Sequence, residues 1–221
     1  YPSGADVSIL SALLTISSPL NCLVLCLDLA KPWSISNQME TLLSTLEQAR
    51  LPLLNQLEEE ERHQLLTRER QRVQHYGSEH TLSSEELAAL PLDPELPRIN
   101  LGVPLIVVGT NGDLFIRAWP PSAGRHEALL RHVRKRCLDY GAAFMVTGSS
   151  LEQGESALHH YLMDVTFGHS EGPSPAPMLT LNPLTNEWPY IPSGFDSVEL
   201  LGEETVPFDF VMPPSAAEDK G

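Results

Sequence analysis

One short stretch constrains the fold of this chain more than any other. It is a continuous apolar run at residues 103–108, which a polar turn at residues 109–113 follows at once. A run this short, rich in β-branched residues and closed by Gly, Asn and Asp, predicts a strand that is buried on both faces. Strands of this kind belong to parallel sheets that helices cover, and the residues just past their carboxyl ends line a ligand crevice. The stretch therefore predicts an α/β fold.

Two further apolar runs predict strands of the same sheet. Residues 20–29 and 142–146 are nearly all apolar, and apolar residues at helical spacing follow each run. Strands that alternate with helices build a mostly parallel sheet flanked by helices. We expect the helix after the first strand to break at Pro52, and later helices to span residues 124–140 and to end near residue 167.

The composition divides the chain into a domain and an extension. Residues 1–168 contain the three strands, and a charged, proline-punctuated insertion of helix and loop at residues 53–100 interrupts them. The first helix of the insertion carries only a thin apolar stripe, which is typical of a helix that projects from its domain or packs on a partner. Residues 169–221 are rich in proline and end in an acidic stretch, so we expect an extended segment that packs on the domain.

The charge balance limits the partners of this chain. Its formal net charge is −15, from 14 basic and 29 acidic side chains, which argues against a nucleic-acid surface. The predicted helix at residues 124–140 is an exception, because one of its faces is basic. A basic face on an acidic chain is typical of contact with an acidic partner, although a merely solvated helix face has the same composition. The candidate partner-binding residues are Arg125, Arg131, Arg134 and Lys135 on this helix and the aromatic anchors Trp188 and Phe195 in the extension.

The cysteines and the apolar runs indicate the compartment. Cys22, Cys26 and Cys137 are odd in number, and two of them lie in a strand-like run, which predicts reduced thiols in the cytosol. Cys22 and Cys26 share one face of that strand, and we expect both to be buried in the core. No apolar stretch approaches the ~20 residues of a membrane span, and no basic leader opens the chain. We therefore expect a soluble, intracellular protein.

The sequence lacks the patterns of several common active sites. It contains neither the phosphate-binding loop G-x-x-x-x-G-K-[ST] nor a G-x-G-x-x-G turn after a strand. No serine lies in a G-x-S-x-G elbow. His159 and His160 are adjacent, and neither is four residues from another His or Cys, which argues against a helical metal site. These residues predict no catalytic residue, no metal site and no enzyme activity.

Two half-motifs nevertheless match the base-reading turns of small GTPases. Residues 110–113 (TNGD) stand where those proteins carry [NT]-K-x-D, and residues 147–149 (TGS) stand where they carry an S-A-K-like turn. In such folds an Asp at this point accepts paired hydrogen bonds from a guanine edge, although Asn and Asp also form simple turns. The resemblance implies the carboxyl half of a Ras-like fold. Its vestigial nucleotide-binding residues would be Thr110, Asn111, Asp113, Thr147 and Ser149.

More closely, the chain resembles the dynein light intermediate chain family. The pieces that match are residues 25–33 (LCLDLAKPW), 101–113 (LGVPLIVVGTNGD), 131–150 (RHVRKRCLDYGAAFMVTGSS) and 191–204 (IPSGFDSVELLGEE). They spread over most of the chain, and DLAKPW and CLDYGAA are the more specific of them. The match is nearer to the cytoplasmic transport class of the family than to the ciliary class.

This resemblance implies a noncatalytic motor subunit in the cytoplasm, associated with the cytoskeleton. In this family a Ras-like domain packs on the dynein heavy-chain tail, among other dynein subunits, and a flexible C-terminal region beyond these residues recruits cargo adaptors. Two departures concern nucleotide: Asn111 replaces the Lys whose stem covers the base, and the phosphate-loop half is missing. We therefore expect no cofactor here, while GDP or GTP in a full-length protein stays open. The alternative is an active Ras-like GTPase whose phosphate-loop half is missing from this chain.

Overall fold

The strands of the residues that the structure describes form one mostly parallel sheet. They are β1 (Leu23–Asp28), β2 (Leu105–Thr110), β3 (Ala143–Val146) and β4 (Tyr190–Ile191), in the order β1–β2–β3–β4. β1, β2 and β3 are parallel, and β4 pairs antiparallel with β3. The predicted α/β fold is confirmed, whereas β4 lies in the extension, where the sequence predicts no strand. The computed structural model describes residues 4–14, 22–75, 83–118, 125–148, 152–167, 177 and 189–202.

Helices connect these strands and cover the sheet. Within the described residues, none of them is long and apolar enough to cross a membrane. In chain order they are α1 (Gly4–Leu13), α2 (Ile35–Leu54, after a 3₁₀ turn at Pro32–Ser34), α3 (Glu59–Gln74), α4 (Ser84–Ala89), α5 (Gly112–Ala118), α6 (Arg125–Tyr140), α7 (Glu152–Phe167) and α8 (Val198–Leu201).

Pro52 lies inside α2, so the predicted break at this residue is wrong. A proline removes one backbone donor and crowds the carbonyl four residues earlier, but only the last turn of α2 follows it. The Asn55 N–H still donates to the Leu51 carbonyl at 3.1 Å. Ala49 and Leu54, on either side of the proline, are buried. Packing of the helix end thus outweighs the local cost of the proline.

β2 is the central strand and is buried on both faces, as predicted. Leu105 and Val107 belong to a core that includes side chains of α2 and α6, whereas Ile106 and Val108 face a second core beneath α7. None of these four side chains is more than 3% exposed. The strand is therefore enclosed between two helical layers.

β1 lies at the edge of the described sheet, and its two faces differ. Leu25 and Leu27 are buried on the side of α2, whereas Val24 is 46% exposed on the opposite face. Cys26 is exposed on that same face, and Cys22 is half-buried. The prediction of buried core thiols is therefore wrong for Cys26, because apolar composition alone does not reveal whether a second layer covers a strand.

The insertion helix α3 docks on its own domain, so the expectation that it projects from the domain is wrong, whereas its packing on a partner stays a prediction. Val73 and Glu69 are buried along its inner face. Gly141, in the turn before β3, approaches so closely that an added Cβ would lie 2.6 Å from Val73 Cγ2. Its φ of +61° also lies in the left-handed region that favours glycine. Only a glycine at this turn lets the helix pack so near.

A buried polar network fixes α3 in place; we call it the amino-end network (Glu69, Arg72, Gly141, Tyr161 and Ser193). The Arg72 guanidinium donates to Glu69 Oε2 at 3.0 Å, to the Tyr161 hydroxyl at 3.3 Å and to the Gly141 carbonyl at 3.4 Å. Ser193 Oγ donates to the same Gly141 carbonyl at 2.6 Å, and the Ser193 N–H donates to the Tyr161 hydroxyl at 3.2 Å. The network thus joins α3, the turn before β3, α7 and the segment after β4.

Residues 189–202 of the extension lie against the domain. Ile191 is in the main core, and Phe195 packs on it half-buried. Asp196 accepts two hydrogen bonds from the Arg134 guanidinium, at 2.9 and 2.5 Å. Trp188 lies outside the described residues. The boundaries drawn at residues 53, 100 and 168 stay predictions.

Candidate nucleotide crevice and partner-binding residues

The carboxyl ends of the three parallel strands meet at one edge of the sheet. β1 ends at Asp28, β2 ends at Thr110, and Thr147 follows the end of β3. Two of the predicted nucleotide-binding residues, Thr110 and Thr147, therefore come from neighbouring strands, and Asn111 follows Thr110 directly. Parallel strands place their carboxyl ends side by side, and ligands of open α/β sheets bind there.

Asn111 turns the chain from β2 directly into a helix. Its φ is +58°, a conformation that asparagine tolerates better than most residues. Its carbonyl accepts hydrogen bonds from the Leu114 and Phe115 N–H groups at 3.0 and 3.1 Å. Asp113 is therefore a half-buried residue in the first turn of α5, where the sequence predicts only a turn. Phe115, which is fully buried, anchors this short helix to the core.

The side chain of Asn111 is engaged within the protein. Its Nδ2 donates to Asp28 Oδ1 at 2.8 Å, and the Ala30 N–H donates to the same oxygen at 3.0 Å. The pKa of Asp28 is lowered, chiefly by the hydrogen bond from Asn111. The hydrogen bond from the Ala30 N–H and the positive charge of Lys31 lower this pKa to a smaller extent. Sequence reasoning missed Asp28 as a crevice residue. Its place at the end of a predicted parallel strand was the signal that pointed to it.

Backbone groups join the two half-motifs. The Gly112 N–H donates to the Thr147 carbonyl at 2.9 Å, and the Thr147 N–H donates to the Gly109 carbonyl at 2.8 Å. The Thr110 hydroxyl donates to the Leu27 carbonyl of β1 at 3.2 Å. Ser149 lies outside the described residues. The structure thus brings Thr110, Asn111, Asp113 and Thr147 into one region of the crevice.

The polar groups of this region can recognise a ligand, and they also stabilise the fold. It offers amide, hydroxyl and carboxylate groups, and the hydrogen bonds described above join several of them to one another. Among the described residues, no group of three or more His, Cys, Asp or Glu side chains is placed to hold a metal ion. The crevice therefore lies where nucleotide sites lie in such folds. Within it, Asn111 and Asp28 form a hydrogen bond with each other.

The basic residues of α6 form ion pairs within the domain. Arg134 is bound by Asp196, and their side chains are only 13% and 7% exposed, so the expectation of a solvated cation is wrong at this position. Arg131 is half-exposed and pairs with Glu127 one turn earlier. Of Arg125, at the start of α6, the structure describes the backbone only. The partner-binding roles of these residues stay predictions.

One internal contact of α6 escapes sequence reasoning. Arg136 donates to both carboxylate oxygens of Glu40 on α2, at 2.6 and 2.9 Å, and to Asp139 at 2.7 Å. Lys135 is half-buried and also interacts with another group of the protein. The sequence shows a basic helix face, but the acids that meet it come from α6 itself, from α2 and from the extension.

This fold and its crevice define a class of protein, the Ras-like α/β domains. A strand that ends in the TNGD motif, the helices α5 and α6 and a second parallel strand follow one another, an order that matches the carboxyl half of such a domain. The crystal structure of the dynein light intermediate chain's conserved domain superposes with a TM-score of 0.65 at 24% sequence identity. The superposition covers 91% of this chain and 65% of that chain, which shows the shared fold.

The family model described as dynein light intermediate chain matches residues 12–203. The chain therefore belongs to the dynein light intermediate chain family, and the resemblance stated from the sequence is confirmed. It is similar to cytoplasmic dynein 1 light intermediate chain 1 of Gallus gallus, at 24% identity over 195 residues, covering 81% of this chain and 37% of that protein. The Rattus norvegicus protein of the same name is 25% identical over 194 residues, with 81% and 36% covered. The chain thus spans just over a third of the length of these relatives.

Proposed function

We propose that this chain is the Ras-like domain of a noncatalytic subunit of cytoplasmic dynein, which docks on the heavy-chain tail and links the motor to cargo adaptors. The observation that carries the proposal is the family match over residues 12–203. The names of the relatives support the cytoplasmic motor, and with it a cytoplasmic, microtubule-associated role in transport. Adaptor binding is assigned to a C-terminal region outside these 221 residues.

The crevice supports the noncatalytic assignment. A guanine-reading turn uses a Lys stem to cover the base, and here Asn111 occupies that position and donates its amide to Asp28 at 2.8 Å. Asn111 has no long aliphatic stem, and its amide is held at Asp28, so it cannot supply the cover that the Lys stem gives to the base. The crevice therefore favours a domain that works as a scaffold.

The competing candidate is an active Ras-like GTPase. Asp113 favours it, because this residue stands at the Asp of the [NT]-K-x-D motif and lies half-buried at the start of α5. The full-length protein should be purified without added nucleotide and denatured, and its supernatant resolved by anion exchange. We expect less than stoichiometric guanine nucleotide and no conversion of added GTP to GDP. Stoichiometric nucleotide together with turnover would support the switch instead.

The docking surface is tested best at Arg131. Its side chain is 51% exposed and its partner Glu127 is 79% exposed, so reversal of its charge leaves the fold intact. We expect Arg131→Glu in the full-length protein to reduce co-purification of the dynein heavy chain several-fold. Glu155→Lys, which reverses an exposed charge on α7, a helix that is not a candidate docking element, is the control. Equal recovery of the two variants would remove this face of α6 from the interface.

Arg134→Glu is unsuited to that experiment. The substitution places a carboxylate against the almost fully buried carboxylate of Asp196 and breaks two hydrogen bonds. We expect it to release the segment after β4 and to lower the thermal midpoint of the full-length protein, which Arg131→Glu does not do. A loss of heavy-chain binding by Arg134→Glu alone would therefore report on folding.

A further inference from the structure

Arg50 is a buried cation without an acidic partner among the described residues. It lies in the last part of α2 and is 2% exposed, which makes it the largest of the fully buried side chains in the described part of the chain. Its Nε donates to the Leu101 carbonyl at 3.0 Å, which is the one hydrogen bond that its side chain forms within those residues. Four of the five N–H donors of the guanidinium are therefore unused.

Other enclosed charges of the domain are matched, and Arg50 is not. Arg134, which is similarly enclosed, is bound by Asp196. Burial lowers the pKa of the Arg50 guanidinium, and no neighbouring acid opposes this shift. The acid one turn earlier on α2 is Glu47, but its carboxylate accepts the hydroxyl of Tyr140. The one nearby acid of α2 is thus engaged elsewhere.

A buried guanidinium of this kind lowers the stability of the domain. It stays charged at neutral pH, and removing a charge from water without a counter-ion is costly. Replacing a buried charge by an apolar side chain of similar volume is often neutral or stabilising. Residues that a fold keeps at a cost to its stability are typical of functional sites. An anion that joins Arg50 in the assembled protein would account for the charge.

Arg50 lies close beneath the surface at the amino end of the sheet. Leu51 and Asn100, which adjoin Arg50 and Leu101 in the chain, are half-buried. Pro52 is exposed. A side chain of a docked protein therefore needs to displace only a thin layer to reach the unused N–H groups.

We propose that Arg50 binds the carboxylate of an Asp or Glu side chain of the polypeptide on which the domain docks. The planar guanidinium offers paired N–H donors that match the two oxygens of a carboxylate. One carboxylate also neutralises one guanidinium, whereas a phosphoryl dianion would add excess negative charge to a chain whose net charge is already −15. The inference depends on the proposed function in taking the dynein heavy chain as that polypeptide.

Arg50→Met separates stability from binding. In the full-length protein free of other dynein subunits, we expect the thermal midpoint to stay the same or to rise by about 2–4 °C, because an unpaired buried charge is removed. The same variant should recover at least about fivefold less heavy chain, because the carboxylate of the partner is then buried without its cation.

Arg98→Met is the matched control, because it removes an arginine that is 74% exposed in the segment just before Leu101. Asp139, which pairs with Arg98, keeps its bond with Arg136 in this variant. Exposed ion pairs contribute little, so we expect the control to change neither the midpoint nor the recovery of heavy chain.

Three results would overturn the inference. A midpoint of Arg50→Met that falls by several degrees would show that Arg50 stabilises the fold. Recovery of heavy chain equal to that of Arg98→Met would exclude Arg50 from binding. Loss of binding by the unmodified protein after phosphatase treatment of the heavy chain would assign the anion to a phosphoryl group. Failure of the unmodified, untreated proteins to bind would instead overturn the proposed function.

Discussion

The two ends of the sheet use their polar side chains differently. At the amino end, the partly buried Arg72 joins the buried residues Tyr161 and Ser193 in a network that connects elements far apart in sequence. At the carboxyl end, Asn111 is exposed, and its bond with Asp28 lies at the surface. Hydrogen bonds that water cannot replace contribute more to stability than those that water can. The amino end therefore holds the domain together, and substitutions at the carboxyl end test function with little disturbance of the fold.

The largest effect is expected from Arg72→Met in the amino-end network. This change leaves the carboxylate of Glu69, whose side chain is 5% exposed, without its cation, and it removes a donor to Tyr161 and Gly141. Breaking a buried pair by removing one partner costs about 3–5 kcal/mol. Urea denaturation of the full-length protein should show a loss of unfolding free energy of that order.

Arg68→Met is the matched control, because Arg68 is exposed one turn earlier on α3. Exposed substitutions of this kind usually change the unfolding free energy by less than about 0.5 kcal/mol. If the two variants unfold at the same urea concentration, the amino end is no more important than an exposed helix face. The contrast between the two ends of the sheet would then be lost.

A smaller effect is expected at the carboxyl end from Asn111→Ala. At a φ of +58°, alanine is strained by about 1 kcal/mol, whereas glycine is not. Both substitutions remove the hydrogen bond to Asp28, so comparison with Asn111→Gly isolates the strain. We expect Asn111→Ala to be the less stable of the two in thermal unfolding. Equal midpoints would mean that the turn relaxes to another conformation.

The smallest effect is the pH dependence of Asp28. Its pKa in the folded protein is lowered, chiefly by the hydrogen bond from Asn111, so the bond contributes to stability above the ordinary Asp pKa. The contribution is lost as the pH falls through the lowered folded value. Between about pH 5 and about pH 3, the thermal midpoint of the unmodified protein should fall more than that of Asp28→Asn, by no more than about 2 °C.

A reversed order in that comparison would contradict the direction of the shift. The other carboxylates titrate in both proteins, so the difference between them reports on Asp28. The effect is small because Asp28 is half-buried and water competes for its oxygen.

Local patterns explain which parts of the fold the sequence predicts. The burial of β2, the strand β3 and the end of α6 at Gly141 each depend on a few consecutive residues. Gly141 has a positive φ, and the Ala142 N–H bonds back to the Cys137 carbonyl at 2.8 Å, which is the helix ending expected of a glycine. Such features can be predicted from the sequence because the residues that determine them are neighbours in the chain.

The crevice was only half predictable. The TNGD and TGS turns place Asn111 and Thr147 at strand ends, and the parallel order then brings them together. The contact with Asp28 spans 83 residues, and no local pattern indicates that Asn111 would bond to it. Likewise, Pro52 continues α2 because the packing of the helix end outweighs a local rule.

The sequence by itself determined the α/β class, the central strand and the family, since these depend on apolar periodicity and on short motifs. The tertiary structure decided which charged side chains are paired within the domain. Arg134 is bound by Asp196, 62 residues away, and Arg72 by groups up to 89 residues away. An ionic side chain is recognised from composition, but its partner is set by which elements pack together. Whether a basic helix faces solvent, a partner or its own chain therefore follows only from the folded arrangement.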